Sequence, residues 1–176
     1  NNKIKVDMVC VKQKNVKDIV LIAQELSHIQ FSIIGDGPLW KEINLLILKK
    51  NIKNIRLLGK KNNIFKYLYL ADIYLSTSLY EGHPISILEA MSIGLPIVAS
   101  NVTGNCDTIE NKKSGFLYDL NDINIAVGFL QKLSISKSLR MKMGGEAFQR
   151  QRKFFSKNIM INSYKNLYKK EYFKHL

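Results

Sequence analysis

Two glutamates, Glu81 and Glu89, have seven residues between them and flank the start of a predicted helix. Pro84 is expected at the first helical position, because its fixed φ suits a helix and its missing N–H would be unpaired there anyway. The helix is apolar around most of its circumference, which is typical of a buried helix. Its polar residues, Ser86, Glu89 and Ser92, are spaced by three and form one narrow stripe. Because an ionised carboxylate on a buried helix is costly unless it is paired or faces water, we expect Glu89 to face a polar cleft, with Glu81 at its mouth.

The start of this helix is also a candidate anion site. Unpaired backbone amides of residues 85–87, together with the helix dipole, favour a phosphate. Gly82 lets the backbone approach a ligand closely. Glu89 can lean towards the helix start, where its two oxygens suit a vicinal diol such as a ribose. Phosphate, ribose and a second carboxylate at Glu81 fit a nucleotide-activated sugar better than a free nucleotide. The alternative is that both glutamates are solvated or paired with lysines, and spacing alone does not choose between the two.

Strands and helices alternate up to about residue 118, which favours a parallel sheet with helices on both faces, a Rossmann-like α/β fold. Ligands of such sheets bind at the carboxyl ends of the strands, so we expect several turns to share one site. The predicted strands are 4–11, 31–34, 55–58, 72–76, 96–99 and 115–118; the predicted helices are 16–27, one ending near residue 50, 62–70, one starting at residue 84 and a short one near 107–110; the turns gathered on one edge are 35–38, 59–62, 78–84 and 100–104.

Three further helices are predicted after this alternation, at roughly 122–133, 136–150 and 156–172. The last one carries apolar residues at helical spacing and lysines elsewhere on its surface. We expect it to pack on its own domain with a solvated basic face; the alternative is a helix that docks on a missing domain or on a membrane surface. Its apolar residues are Met160, Ile161, Tyr164, Leu167 and Tyr168.

The chain of 176 residues, 46% of them hydrophobic, is long enough for one domain with a substantial core, and we predict a single domain over residues 1–176. The sequence contains no apolar run long enough to span a bilayer and no signal-peptide pattern. Because it begins Asn1-Asn2 rather than with Met, we expect a fragment of a longer protein.

The formal net charge is +13. One interpretation is a basic surface for nucleic acid, anionic lipid or a phosphorylated ligand; the other is a compositional bias, since lysine, asparagine and isoleucine are enriched together. Nucleic acid is disfavoured, because the sequence has no arginine cluster with interleaved aromatics. Cys10 and Cys106 lie far apart and the three histidines form no ligand cluster in the sequence. We therefore expect a reduced, cytoplasmic compartment and no metal site.

Residues 71–100 resemble the signature of the group 1 (family 4) retaining glycosyltransferases of the GT-B fold. Weaker matches at 35–38, at Leu58-Gly59 and from Gly104 to Gly115 extend the resemblance from about residue 9 to about residue 135. It implies that the chain is the donor-binding, C-terminal half of a two-domain enzyme whose N-terminal acceptor domain is absent. The residues around the two glutamates that make the motif specific are Ser78, Gly82, Pro84, Ala90, Gly94, Pro96 and Ala99.

The resemblance implies catalytic roles for Glu81 and Lys14. Glu81 matches the glutamate that contacts donor-sugar hydroxyls near the reacting centre, and Lys14 matches the lysine that binds the diphosphate. Glu89 matches the residue that holds the ribose, while Lys60 and Lys61 fall where family members contact the nucleobase. The other implied substrate-binding residues belong to a loop whose backbone, rather than the His83 ring, is expected to face the donor: Gly82, His83, Pro84, Ile85 and Ser86.

One departure from the family concerns the diphosphate. The family usually has an arginine about five residues before the matching lysine, but the segment from Met8 to Lys14 contains none. We expect a shortened loop in which Lys12 stands in. Lysine lacks the guanidinium fork, so phosphate binding differs in detail, and the departure slightly favours a chain without turnover.

By resemblance, the reaction is transfer of a hexosyl group from a nucleotide-diphosphate sugar, such as a UDP-sugar, with retention and without a cofactor or an essential metal. Bacterial relatives of this kind build surface polysaccharide or glycolipid. The expected partners are this donor, the missing N-terminal domain and an acceptor glycan or glycolipid; peripheral contact with an anionic membrane, at the inner membrane surface, stays open. Two alternatives remain: a sugar-nucleotide epimerase of the same general fold and a non-catalytic nucleotide-sugar-binding module. The fragment alone is expected to be inactive.

Overall fold

A computed structural model describes residues 3–7 and 12–172, and six parallel strands form its centre. The strands are β1 (Lys3–Asp7), β2 (Gln30–Ile34), β3 (Ile55–Gly59), β4 (Ile73–Ser76), β5 (Ile97–Ser100) and β6 (Gly115–Tyr118). They lie in the order β3-β2-β1-β4-β5-β6. The predicted Rossmann-like sheet is confirmed. The chain reverses its direction of progress across the sheet between β1 and β4, and the crevice at such a switch point is where sheets of this type bind ligands.

Helices cover both faces of the sheet. They are α1 (Val16–Glu25), α2 (Trp40–Lys49), α3 (Phe65–Leu68), α4 (Ile85–Ser92), α5 (Asn105–Thr108), α6 (Ile123–Ile135), α7 (Lys137–Phe154) and α8 (Lys157–Tyr172). One apolar cluster joins α1, α2 and α6 to the sheet, and a second joins α3, α4 and α7 to its other face. Among the residues described, none of these helices is both long and apolar enough to cross a membrane.

The element boundaries differ from the predicted ones at a few positions. Residues 8–11 of the predicted first strand lie outside the described residues. Helix α5 begins at Asn105 instead of near Asp107. The reason is that Gly104 adopts φ 82°, and its N–H donates to the Asp107 carboxylate at 3.3 Å. Asp107 therefore caps the helix from inside its first turn and does not start it.

Helix α4 is held in place by a close approach to α7. Gly94, just after α4, has φ 78°, and Gly144 in α7 lies against its carbonyl group. A Cβ atom on Gly144 would overlap the Gly94 carbonyl oxygen, while a Cβ on Gly145 would meet nothing within 4 Å. Gly144 therefore permits the contact that fixes the far end of α4, whose other end forms the candidate site.

The prediction that the last helix packs on its own domain is wrong. In α8, every side chain from Lys157 to Lys170 is exposed except Ile161, which is half-buried. Tyr164 is 55% exposed and Leu167 is 53% exposed. The two apolar clusters of the described residues end at α7 and Phe155 and include no residue of α8. The core is complete without α8, so its apolar face points into solvent.

Candidate functional site

A cleft of about 490 Å³ opens at the carboxyl edge of the sheet, where the strand order reverses. It receives residues from three of the four turns that the sequence gathered there, together with Lys14 and the start of α4. The Ser100–Gly104 turn does not line the cleft and lies behind Glu81 instead. The lining residues are Lys14, Ile34, Gly35, Lys60, Lys61, Ile64, Glu81, His83, Ile85, Ser86 and Glu89.

Glu81 is the most buried carboxylate of the cleft, with its side chain 7% exposed. One oxygen, Oε1, accepts from the Lys14 ammonium at 2.5 Å and from the Ser78 hydroxyl at 2.7 Å. Among the described residues, no donor reaches the second oxygen, Oε2. The carboxylate is thus tied to the protein by one oxygen, and the other is available to a ligand.

Lys14 reaches Glu81 because two loops are bonded to each other. Lys14 ends a short 3₁₀ turn (Lys12–Lys14) that follows β1 in the chain. The Thr77 hydroxyl, just after β4, donates to the Lys14 carbonyl at 2.9 Å, and the Leu79 amide donates to the Gln13 carbonyl at 2.7 Å. Gln13 in turn donates from Nε2 to the Tyr80 carbonyl at 3.0 Å. These bonds join the loops on either side of the switch point, and they place a cation against the buried carboxylate.

The start of α4 differs from the prediction by one residue. Pro84 is the residue before the helix, and its carbonyl accepts from the Leu88 amide at 3.1 Å. The Ile85 amide is not free, since it donates to the His83 carbonyl at 2.9 Å. Among the described residues, the amides of Ser86 and Ile87 have no backbone partner. Two of the three predicted amides therefore remain for an anion.

Glu89 lies one turn into α4 and lines the same cleft, as predicted. It is half-buried, and burial raises the pKa of its carboxyl above the ordinary value. Ser92 donates to the Glu89 carbonyl at 2.7 Å, and no donor from the described residues engages the carboxylate itself. A carboxylate that is partly desolvated in this way gains from a hydroxyl donor supplied by a ligand.

The far side of the cleft is cationic and partly apolar. Lys60 and Lys61 follow β3 and are exposed, and the Lys61 ammonium lies 6.0 Å from the centre of the Tyr67 ring. Ile34 and Gly35 at the end of β2, with Ile64 before α3, form the apolar part of this side. The two lysines were predicted from the sequence, but the two isoleucines were not. A search for apolar residues at strand ends would have found Ile34, the last residue of β2.

The predicted loop residues divide into two groups. His83, Ile85 and Ser86 line the cleft. Ile85 is 56% exposed, although the other apolar side chains of α4 are buried. Gly82 and Pro84 do not line the cleft; Pro84 is buried, and a Cβ atom on Gly82 would meet nothing within 4 Å. The His83 ring lies beside Phe155, with the ring centres 6.4 Å apart.

The arginine that the family usually has would lie in a segment that the structure does not describe. Residues 8–11 lie outside the described residues, and so does the side chain of Lys12, the expected stand-in. Lys14 is the cation of this loop that the structure places in the cleft. No three His, Cys, Asp or Glu side chains within the described part of the chain lie close enough together to hold a metal ion.

Sequence comparison identifies relatives of known type. A model of the family described as glycosyl transferases group 1 matches residues 9–150. The chain is 38% identical over 113 residues to UDP-Gal:alpha-D-GlcNAc-diphosphoundecaprenol alpha-1,3-galactosyltransferase of Escherichia coli, covering 63% of this chain and 29% of that protein. It is 29% identical over 150 residues to poly(ribitol-phosphate) alpha-N-acetylglucosaminyltransferase of Staphylococcus aureus strain COL, covering 84% of this chain and 30% of that protein.

Structure comparison agrees with this result. A mutant form of S. aureus TarM, solved in complex with Fondaparinux, alpha-GlcNAc-glycerol and UDP, is similar with a TM-score of 0.90 and 26% identity, covering 94% of this chain and 35% of that one. The structural neighbours are GT-B glycosyltransferases, and the chain spans about a third of the length of the proteins named here. The family match, the order of the sheet and the position of the cleft agree, and the chain belongs to the group 1 glycosyl transferases.

Proposed function

We propose that this chain is the donor-binding, C-terminal half of a two-domain enzyme that transfers a hexosyl group from a nucleotide-diphosphate sugar, with retention at the anomeric carbon. Surface polysaccharide or glycolipid is the proposed product. The E. coli relative is named for UDP-Gal and a diphosphoundecaprenol acceptor, and the S. aureus relative for a poly(ribitol-phosphate) acceptor. These names support a UDP-sugar donor and a bacterial surface glycan as acceptor.

The observation that carries the proposal is the state of Glu81. Its Oε1 is held by Lys14 and Ser78, while Oε2 has no donor among the described residues. A carboxylate fixed by one oxygen can accept a sugar hydroxyl with the other at little entropic cost. Glu81 is thus suited to hold the donor sugar at the reacting carbon.

The remaining parts of the donor follow from the layout of the cleft. The free amides of Ser86 and Ile87 suit the diphosphate. Glu89, one turn further along α4, suits the ribose hydroxyls, and Lys60, Lys61 and the nearby apolar residues suit the base. Lys14 and the helix start would stabilise the charge that develops on the departing diphosphate, which is electrostatic catalysis. We propose that no cofactor or bound metal is required, so transfer should survive EDTA.

We propose that the exposed apolar face of α8 packs against the rest of the full-length protein. The match to the TarM structure covers 94% of this chain but only 35% of that one, so about two thirds of the longer protein lies outside the matched domain. An amphipathic basic helix also suits an anionic membrane surface. Binding of the full-length protein to anionic vesicles, lost on removing α8, would assign that face to lipid instead.

Calorimetry with UDP, GDP and ADP tests the donor-binding proposal. We expect the 176-residue chain to bind at least one of the three and to transfer sugar very poorly by itself, since the acceptor side lies elsewhere. The absence of binding to all three at millimolar concentration would overturn the proposal. Product analysis of the full-length protein with donor alone then separates a transferase from an epimerase, because only an epimerase would convert the donor sugar.

A further inference from the structure

A chain of buried hydrogen bonds runs from α5 to Glu81. Asn105 donates from Nδ2 to the Ser100 carbonyl at 3.0 Å and lies 3.3 Å from the Ser100 hydroxyl. Ser100 donates from its hydroxyl to the Ser78 carbonyl at 2.6 Å, and Ser78 donates from its hydroxyl to Glu81 Oε1 at 2.7 Å. Asn105, Ser100 and Ser78 are each fully buried, with relative exposures of 0%.

The bonds of this chain have one consistent direction. A serine hydroxyl has a single proton. The Ser78 proton is committed to Glu81, because an ionised carboxylate only accepts. The Ser100 proton is committed to the Ser78 carbonyl, so the Ser100 oxygen can accept from Asn105. Asn105 is therefore the donor at the head of the chain, which continues through the Ser100 hydroxyl and Ser78 to Glu81 Oε1.

A second contact from the same segment reaches the backbone of Glu81. Gly104, with φ 82°, lies so close to the site loop that a Cβ atom there would stand 2.6 Å from the Glu81 carbonyl oxygen. The start of α5 thus packs on the Glu81 backbone while Asn105 acts on its side chain. Neither residue lines the cleft.

We propose that Asn105 is a positioning residue for the transfer reaction, acting through Ser100 and Ser78 to hold the Glu81 carboxylate in one orientation. The inference rests on the proposed function of Glu81. Fixing Oε1 decides where Oε2 points, and a small misplacement of a group at the reacting centre costs rate much more than affinity. Loss of Asn105 should therefore lower kcat while leaving the KM for the donor nearly unchanged.

Asn54 provides a matched control for the loss of a buried asparagine. It is 5% exposed, and its Nδ2 donates to the carbonyls of Ala23, Leu26 and Ile29, outside the cleft. In the full-length protein, we expect Asn54→Ala and Asn105→Ala both to lower thermal stability, but only Asn105→Ala to lower kcat, by about tenfold or more. The KM for the donor should change by less than about twofold in both variants.

Ser100→Ala tests the same chain with a smaller perturbation, and it remains informative if Asn105→Ala does not fold. It should also lower kcat by about tenfold. The kcat of the double variant, Ser100→Ala with Asn105→Ala, should be no lower than that of the worse single variant, because the effects of residues that act in series are not additive. Losses of kcat in Asn105→Ala no larger than in Asn54→Ala, or losses that multiply in the double variant, would overturn the inference while leaving the proposed function standing. Wild-type protein that neither binds nor turns over a nucleotide sugar would overturn both.

Discussion

The Lys14 ammonium and the Glu81 carboxylate, 67 residues apart in the chain, meet at 2.5 Å across the switch point of the sheet. Both side chains are largely removed from water, with exposures of 20% and 7%. Such a pair is costly to break from one side, because the remaining charge stays buried. Lys14 also lines the cleft. Under the proposed function, Lys14 would pair with Glu81 before the donor binds and contact the diphosphate afterwards.

Replacing this cation should impair both binding and transfer. In the full-length protein, Lys14→Met should weaken UDP binding by about tenfold, through loss of a charge-assisted bond, and lower kcat by about a hundredfold or more. Lys17→Met is the control, since Lys17 pairs with Glu42 on the surface and is 54% exposed. Calorimetry and donor turnover measure the two effects. Equal behaviour of the two variants would remove Lys14 from the site.

Replacing Glu89 should weaken the binding of a nucleoside diphosphate but not the binding of inorganic pyrophosphate. Glu89→Ala is expected to weaken UDP binding by about tenfold, because the ribose loses a carboxylate acceptor, while inorganic pyrophosphate binding changes little. Glu42→Ala, which removes an exposed carboxylate outside the cleft, should affect neither ligand. Titration calorimetry with both ligands measures the contrast, and an equal loss for UDP and pyrophosphate would contradict the ribose role.

The same carboxylate should cost the domain stability when no ligand is bound. Burial raises the folded-state pKa of Glu89 above its ordinary 4.5, so the folded state disfavours the ionised form. This penalty is fully present above the folded-state pKa and disappears as the pH falls below the unfolded value. Glu89→Gln should therefore be more stable than wild type in urea unfolding at about pH 7, and the difference should vanish at about pH 4.

The control for this pH dependence is Glu25→Gln, at an exposed position of α1. It should show no comparable gain at neutral pH. If Glu89→Gln is less stable than wild type at neutral pH, the ionised carboxylate has a favourable partner in the folded state. That result would contradict burial as the cause of its raised pKa.

Two adjacent glycines of α7 should respond oppositely to alanine. Gly144→Ala should destabilise the 176-residue chain by about 1–3 kcal/mol, because the new methyl group overlaps the Gly94 carbonyl. Gly145→Ala adds its methyl group where nothing lies within 4 Å and should stabilise the helix by about 0.5–1 kcal/mol. Urea unfolding compares the two, and a similar response from both would contradict the close approach of α7 to the end of α4.

Removal of α8 should have different effects in the two forms of the protein. Ending the 176-residue chain after Ser156 should change its free energy of unfolding by less than about 0.5 kcal/mol, because the side chains from Lys157 to Lys170 are exposed except for the half-buried Ile161. The same helix deleted from the full-length protein should lower its melting temperature clearly. A large loss in the shorter chain would show that α8 contributes to this domain after all.

Local signals were enough for most of the fold. The strand-helix alternation predicted all six parallel strands, because alternating apolar runs and turn residues are short-range properties of the chain. Errors arose where a contact between elements decided the outcome. Helix α5 starts earlier because Asp107 reaches back to Gly104, and α8 stays exposed because the core is already closed by α7 and Phe155.

The site divides in the same way. Glu81 and Glu89 could be placed from the sequence, and the start of α4 could be placed to within one residue, since they belong to one continuous segment with a recognisable spacing. Ser78, Ser100 and Asn105 were missed as a group, although small polar residues at the carboxyl ends of β4 and β5 were a usable signal. Their hydrogen bonds join the loop after β4 to the segment between the end of β5 and the start of α5. No spacing rule links two segments that lie more than 20 residues apart.

The sequence by itself determined the family, the parallel sheet and the identity of the two glutamates, because each depends on residue types at short separation. Only the tertiary structure decided that Lys14 and Ser78 share one oxygen of Glu81, that the second oxygen is left without a donor among the described residues, and that Asn105 stands behind them. The physical reason is that the orientation of a buried carboxylate is set by the donors that surround it, and folding brings those donors from the loops after β1 and β4 and from α5 to one edge of the sheet.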